Sequence, residues 1–430
     1  MQLSPPDAPA PDVVPASEHG IPRERIHRNA RQVLERLVEG GFEAYLVGGC
    51  VRDLLLGRVP KDFDVATSAR PEEVRDLFPR SRLIGRRFRL AHVRAGRDVY
   101  EVATFRASHD AAATGPDGML LHDNVYGTRE EDALRRDFTV NALYYDDRDG
   151  SILDFTGGFP DLDAGVIRSI GDPGVRYRED PVRILRAVRF AAKLGFRIEP
   201  SSEAPIHELA PLLEGVPAAR LFEEILKLFQ GGHALESLRG LDRYDLLPLL
   251  CPATAVSADR DPSVRTLLER AFENTDRRLA GDRPVSPGFL VAALLWGPVR
   301  ERADAAQTED GVRSRGVALA EAADETIAIQ AKRTSMPRRF TAMARDIWTM
   351  QPRLENRRPR RVAATIAHPR FRAAYDFLCL RGEAGEPVAE RAAWWTAAQG
   401  DPGEKDPDES PPQVPRRRRR RRSQRRGRAA

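Results

Sequence analysis

Asp62 and Asp64 stand one residue apart near the end of YLVGGCVRDLLLGRVPKDFDVAT, residues 45–67, a segment that also carries a glycine pair and an adjacent Arg52-Asp53 pair. Residues two apart in a strand face the same side, so the two carboxylates project together while Phe63 and Val65 turn toward a core. Carboxylates placed this way on an otherwise apolar strand repel each other unless a cation lies between them. Oxygen ligands suit a hard divalent ion, and magnesium is the usual one where phosphates are handled. Glu101, in DVYEVATF, is the candidate third carboxylate: it shares a face with Val99 and Ala103, where an unpaired charge is costly.

The glycines point to the same chemistry. Gly48 and Gly49 end a strand and open a short helix. Glycine lets backbone N–H groups come close to a phosphate, and the helix start adds a favourable dipole. Arg52, in the first turn, reaches the same phosphates as a charged fork, with Asp53 beside it. An ordinary strand–turn–helix corner with a surface acidic pair would account for each piece, but not for all of them together one short helix apart.

The elements that must position these residues follow from periodicity. A helix is predicted from Arg23, with Ile26, Ala30, Val33, Leu34 and Leu37 at helical spacing and Gly40-Gly41 ending it. AYLVGG and DFDVAT read as strands, VRDLLLG and PEEVRDLF as helices, and RLAHVRAG with DVYEVATF as a strand pair around a glycine turn. Residues 108–122 have no period and read as an exposed loop. Beyond residue 155 the strand signals stop and long helical patterns take over, REDPVRILRAVRFAAKLG among them. The expected domains are a disordered segment 1–21, a mixed α/β head 22–155, a helical neck 156–235, a helical body 236–398, and a disordered linker and tail 399–430.

Composition narrows the function classes. The chain has 430 residues and a net charge of +5, but residues 416–430 alone carry ten arginines and no acid, leaving about −5 for the remainder. A basic tail on a mildly acidic body suggests a phosphate-backbone partner, RNA or DNA. Arg416, Arg417, Arg418, Arg419 and Arg420 open that tail; Arg353, Arg357, Arg358, Arg360 and Arg361 form a second basic cluster. Three cysteines far apart give neither a disulfide framework nor a zinc spacing, which suits a reducing cytosol. The eight histidines are scattered and pair with no cysteine at ligand spacing, so a zinc enzyme is not supported. No apolar run approaches a membrane span, and the proline-rich start does not read as a signal peptide.

The pattern GG-C-VRD-LLLG-x4-DFD resembles the signature of the polymerase-β-type nucleotidyltransferases, and within them the bacterial family that holds poly(A) polymerases and CCA-adding tRNA nucleotidyltransferases. The resemblance continues in family order over about residues 45–230. RRDFTVNALYYD, residues 135–146, is similar to the ribose-contacting motif and implies that role for Arg136, Asp137 and Asn141. LDFTGGFPDLDAGVIRSIGDP, residues 153–173, matches the flexible segment between head and neck. REDPVRILRAVRFAAKLGF, residues 178–196, carries the base-selecting EDxxR as Glu179, Asp180 and Arg183, expected on one helical face. Arg178 and Arg186 are read as contacts to phosphate or to a structural partner.

The resemblance implies a polymerase-β-type nucleotidyltransferase head followed by all-helical neck and body domains. It implies attack of an RNA 3′-hydroxyl on the α-phosphate of ATP, with two magnesium ions, or manganese in their place, held by Asp62 and Asp64. LIGRRFRLAHV, residues 83–93, and the C-terminal MPRRFTAMARDIWTMQPRL and HPRFRAAYDFLCLRGE resemble the poly(A) branch. Expected partners are the 3′ ends of messenger and regulatory RNAs and their fragments, with RNA-degradation proteins as further candidates. A monomer in the cytoplasm is the favoured state. CCA addition to tRNA is the alternative activity, and a catalytically idle RNA-binding protein of the same fold is the third reading.

Overall fold

The computed structural model describes residues 10–85, 89–107, 125–309, 314–356 and 359–399. The predicted loop 108–122, most of the linker and tail from 399 with Arg416 to Arg420, and Arg357 and Arg358 lie outside the described residues, as do residues 86–88 of the segment 83–93.

Short β-branched and aromatic runs pair into one mixed sheet. Its strands are β1 (Asp12–Val14), β2 (Ala44–Val47), β3 (Asp64–Thr67), β4 (Arg82–Ile84), β5 (Leu90–Ala95), β6 (Asp98–Thr104), β7 (Leu143–Tyr145) and β8 (Ile152–Asp154). The order across the sheet is β1-β8-β7-β2-β3-β6-β5-β4. Within this sheet, among the described residues, only β3 and β6 pair in parallel, with Val65 opposite Val102 and Thr67 opposite Thr104. That register sets Asp64, the first residue of β3, beside Glu101. Tyr45, Val47, Ala66, Phe105 and Tyr144 pack as one buried cluster against the sheet. The helix Arg28–Glu39 turns Ala30, Val33, Leu34 and Leu37 inward. Its start differs from the predicted Arg23, because a separate 3₁₀ turn, Arg23–Arg25, and the buried Ile26 precede it.

Three further expectations are corrected. The segment 1–21 is not wholly disordered: Asp12–Val14 pairs antiparallel with β8, burying Val14. A short β-branched run between prolines suits a sheet edge, where missing N–H donors cost little. Strands also continue past residue 155, as β9 (Val166–Ile167) and β10 (Arg197–Ile198) form a small parallel pair. The predicted continuous helix over REDPVRILRAVRFAAKLG is two helices, Pro173–Glu179 and Val182–Leu194, separated at Asp180 (φ −150°, ψ 92°). Pro181 causes the break, since it lacks an N–H and pushes the preceding residue out of the helical region.

The chain forms two compact units: residues up to 260 together with 272–281 and 327–336, and residues 261–271, 282–326 and 337 onward. Head, neck and the first part of the predicted body therefore share one unit, and no structural boundary falls at 236. The helix Ala234–Arg243 starts on the Asp276 carboxylate, which accepts from the N–H groups of Ala234 and Leu235 at 2.7 and 3.0 Å, and it buries Leu238 and Leu241. The second unit is helical, with Trp296, Trp348 and Trp395 fully buried. Its buried Arg381 donates to Glu386, Gln351 and Glu355.

One close approach couples the fold to the site. Gly158 opens the helix Gly158–Asp163 against the turn that carries Asn141, and a β-carbon there would lie 2.2 Å from the Thr139 carbonyl oxygen. Backbone cannot yield there as a side-chain tip would. Gly158→Ala is therefore expected to lower Tm by roughly 2–10 °C in a thermal unfolding scan, the equivalent of about 1–3 kcal/mol of overpacking. An unchanged Tm would show that the turn moves freely.

Candidate active site

The site begins where β2 ends. At Gly48 the backbone takes φ 78°, ψ −130° before entering the helix Gly49–Leu55. A side chain would be strained at that φ, so the glycine is required by the turn itself. Cys50 follows, buried beneath the turn, with its thiol donating to the Val47 carbonyl at 3.3 Å and pushed up to about 12 by burial.

β3 presents the acidic pair. Phe63 and Val65 are buried, as strand alternation predicts; Asp62 is exposed just ahead of the strand and Asp64 is partly buried. The Asp64 carboxyl is pushed up to about 6, first by burial and then by the charge of Glu101, with Asp62 adding to the effect and Arg136 opposing it. Glu101 is exposed and pairs with His92 at 3.3 Å. Among the described residues, no three His, Cys, Asp or Glu side chains are gathered closely enough to hold a metal ion. The expected trio is thus not preassembled. The donor set nevertheless fits a hard divalent cation: it is all carboxylate oxygen, and Asp64 is destabilised by negative neighbours that a cation would offset.

Behind the glycine turn runs a chain of polar contacts. Arg52 is only 2% exposed; its Nε and Nη2 donate to Asp53 Oδ1 at 2.9 and 2.7 Å, and its Nη1 to Asn141 Oδ1. Asn141 Nδ2 donates to Asp137 Oδ1 at 3.3 Å, and Arg186 Nε donates to Asp137 Oδ2 at 2.7 Å. Burial would raise the Asp137 carboxyl, but the Arg186 charge and hydrogen bond hold it below the usual carboxylate range. Arg136 bridges Asp132 at 2.9 Å and the Tyr144 hydroxyl at 3.0 Å; burial opposes its charge, and those two oxygens more than compensate. Arg52 is therefore not a free fork reaching outward. It braces the turn from within, because a buried guanidinium must spend its donors on nearby oxygens. Arg186 likewise has a structural partner, as does Arg178, which pairs with Glu208 at 3.3 Å.

The residues expected to select the base straddle the helix break and do not share one continuous face. Glu179 accepts from Arg176 at 2.9 Å and from Arg183 at 3.0 Å, and Arg183 is largely buried. Asp180, ahead of the second helix, accepts from the Val182 N–H at 3.3 Å and pairs with Arg220 at 2.6 Å.

Gly49, Arg52, Asp53, Asp62 and Asp64 line one cavity of about 700 Å³. Glu179, Asp180 and Arg183 do not line it. It is joined instead by cations that the sequence reading missed, Lys61, Arg189, Lys193 and Lys227. Their signal was present: Arg186, Arg189 and Lys193 recur at helical spacing along Val182–Leu194, as a basic stripe on one face. In the second unit, Arg353 and Arg361 line a separate concavity of about 780 Å³ with Arg345 and His368, and Arg360 is exposed in the same turn as Arg361.

Residues 44–168 match the family described as "Poly A polymerase head domain". Residues 195–257 match "Probable RNA and SrmB- binding site of polymerase A", and residues 313–428 match "Polymerase A arginine-rich C-terminus". Poly(A) polymerase I of Haemophilus influenzae is 47% identical over 404 residues, covering 92% of this chain and 89% of that protein. Poly(A) polymerase I of Escherichia coli is 47% identical over 398 residues, covering 90% and 85%. Among solved structures, the Bacillus stearothermophilus CCA-adding enzyme in complex with CTP matches with a TM-score of 0.58 at 27% identity, covering 86% of this chain and 82% of that one. The aspartate pair, the glycine turn and the arginine-rich segments lie within the matched regions, and this chain belongs to the poly(A) polymerase family of nucleotidyltransferases.

Proposed function

We propose that this chain extends RNA 3′ ends without a template, transferring AMP from ATP and releasing pyrophosphate, and so promotes RNA turnover. The observation that carries the reading is the meeting, in one cavity, of the Asp62–Asp64 pair, the glycine turn and a wall of cations. That combination suits a nucleoside triphosphate with its reacting phosphorus beside the carboxylates. The close similarity to poly(A) polymerases over most of the chain favours adenylate addition over CCA addition.

Asp62 and Asp64 are the residues that would hold magnesium or manganese, with Glu101 on the adjoining strand. When bound, such ions supply Lewis acidity toward the attacking hydroxyl and the departing oxygen. The chain's own residues position the nucleotide. The Gly48–Gly49 turn brings backbone N–H groups to the phosphates, and Arg52 with Asp53 keeps that turn in place. Arg136 frames the sugar position, and Asn141 retains an amide hydrogen for a ribose hydroxyl after bonding Asp137. Arg183, fixed by Glu179, and Asp180 lie outside that cavity and are the residues that would read the base edge, an amine beside an acceptor nitrogen, and refuse guanine and uracil. Arg353, Arg360, Arg361 and the arginine-rich tail serve as sequence-independent contacts to the RNA backbone. No helix among the described residues is long and apolar enough to cross a membrane. We place the activity in the cytoplasm, on messenger and regulatory RNAs and their fragments, with RNA-degradation proteins as the partner class.

The activity is checked by incubating the protein with Mg²⁺ and each nucleotide on an unstructured RNA and on a tRNA lacking its CCA end. Long ladders with ATP alone on the unstructured RNA are expected. Addition that needs CTP and stops after three residues on tRNA would instead mark a CCA-adding enzyme.

Asp64 gives a second, independent check. Without a cation its carboxyl is pushed up to about 6 by burial and by Glu101, above its value in an unfolded chain. Its ionisation therefore costs stability: the cost is absent below about pH 4 and complete above roughly pH 6–7. Asp64→Asn is expected to raise Tm in EDTA at pH 7.5 by a few degrees, equivalent to about 1–3 kcal/mol, with no gain at pH 4. The same variant should lose at least about a hundredfold in AMP transfer. A variant that keeps its activity, or melts earlier at pH 7.5, would remove Asp64 from this role.

A further inference from the structure

Beyond Glu101 the sheet continues for two more strands, and their open face has no role among the residues assigned above. The register fixes what that face carries. Asp64 stands beside Glu101 on β6, His92 on β5 lies opposite Glu101, and Arg82 on β4 lies opposite His92. Directly opposed residues project from one face of a sheet, so these four side chains form a single row across four strands. At the usual strand spacing the row runs roughly 14 Å from Asp64 to Arg82. Arg94 and Val99, opposite each other one step along, lie on the same face, as does Ile84, two residues on from Arg82. The other face of these strands is closed: Ala91, Val93, Tyr100 and Val102 are buried, and the helix Pro71–Leu77 packs there. On the row face Arg82, Arg94 and Glu101 are exposed, and Val99 and Ile84 leave 54% and 36% of their surface in water. Among the described residues neither Arg82 nor Arg94 has a hydrogen-bond or ion-pair partner, whereas the nearby Arg89 pairs with Glu72 at 3.0 Å. Charge thus changes sign along the row, from two carboxylates, through a histidine paired with Glu101 at 3.3 Å, to an unpaired guanidinium.

We propose that the open face of β4, β5 and β6 is the platform for the last nucleotides of a single-stranded RNA. Arg82 and Arg94 take the phosphates behind the attacking 3′-hydroxyl, and Val99 and Ile84 take sugars and bases without regard to sequence. This deepens the nucleotidyl-transfer reading and rests on it. Charge complementarity selects the occupant. Carboxylates repel the phosphates of an RNA strand, so a strand that brings its hydroxyl to Asp64 and Glu101 needs cations one step further back. The row supplies them in that order and so sets the direction of the strand, its 3′ end at the carboxylates and its 5′ side toward Arg82. Its length matches about four stacked nucleotides at 3.4 Å each. Apolar side chains between cations suit unpaired bases, whose flat faces are the same kind of surface whatever the sequence.

The test is fluorescence anisotropy of the full chain with a labelled single-stranded hexanucleotide RNA, in Mg²⁺ without ATP and at several salt concentrations, alongside RNA extension. Arg82→Gln and Arg94→Gln are each expected to weaken binding of the hexanucleotide by about three- to tenfold. Each should also lower the slope of log affinity against log salt by about 0.7, the share of one phosphate contact, with the KM for ATP unchanged. Arg82→Lys should restore most of the affinity, because a phosphate contact can be made by a point charge. Val99→Asp, which sets a negative charge on the platform, should weaken binding as much as the loss of an arginine. Unchanged RNA affinity and salt slope in both glutamine variants would overturn the platform and leave this face to another partner. A loss that lysine does not rescue, or an equal loss of ATP affinity, would overturn it as well. A wild-type chain that binds the hexanucleotide through these residues yet never transfers AMP to it would overturn the reading of function and leave the platform standing.

Discussion

The site depends on one buried guanidinium. Arg52 has almost no contact with solvent, and a charge in that position is tolerated only if its donors are satisfied. Asp53 and Asn141 satisfy them, Asn141 is held by Asp137, and Asp137 is held by Arg186. The chain of contacts runs from the helix after the glycine turn, through the turn at Thr139–Asn141, to the helix Val182–Leu194. Three segments far apart in sequence are thereby fixed in one geometry. The Phe190 ring reinforces this, with Arg52, Arg186 and Arg189 all within cation–π reach of it at 5.4, 5.4 and 4.4 Å. Removing Arg186 would leave the buried Asp137 carboxylate without its hydrogen-bonding cation, and removing Asn141 would leave one Arg52 donor unmet.

Two opposite frustrations flank this brace. On the head side, Asp64 faces Glu101 and Asp62 without a counter-charge and is pushed up to about 6. On the neck side, Arg189 and Glu224 stop short of each other. Each costs stability in the free protein, and a cation beside the aspartates would relieve the first. A fold tuned only for stability would fill these positions with neutral side chains. The folded head, with its apolar sheet and a brace in which most polar atoms are bonded, supplies the surplus that lets both persist.

The sequence displayed these two halves unequally. The aspartate pair was legible because strand alternation is a local rule, and Phe63 and Val65 are buried as it requires. The glycine turn was legible for the same reason. The inward turn of Arg52 was not: an arginine in a helix's first turn looks the same whether it meets a phosphate or an asparagine 89 residues away. The placement of Glu101 depends on β3 pairing in parallel with β6, a long-range choice that no local pattern specifies. The break at Pro181 was written plainly, since proline ends a helix by known chemistry, and the helical period of the flanking residues masked it. The edge strand Asp12–Val14 was hidden by the proline-rich composition around it. The basic stripe of Arg186, Arg189 and Lys193 was visible as a pattern, but its meaning appeared only once a cavity lay beneath it.

A protein that selects a base without a nucleic-acid template must hold the base edge at a set distance from the reacting phosphorus. On the proposed function, one side chain meets that need here. Arg176 donates to the carbonyl oxygens of Arg135 and Arg136 at 2.5 and 2.6 Å and to Glu179 at 2.9 Å. It thus ties the backbone at Arg135 and Arg136 to the carboxylate that fixes Arg183. Burial and the nearby Arg183 push Arg176 down to about 10, so the tie is itself under electrostatic load. A neutral side chain could not span two carbonyls and a carboxylate at once, and a lysine lacks the planar fork. The proposed base-reading residues are therefore held to residues 135–136 by a guanidinium whose three partners come from both segments, all within one compact unit.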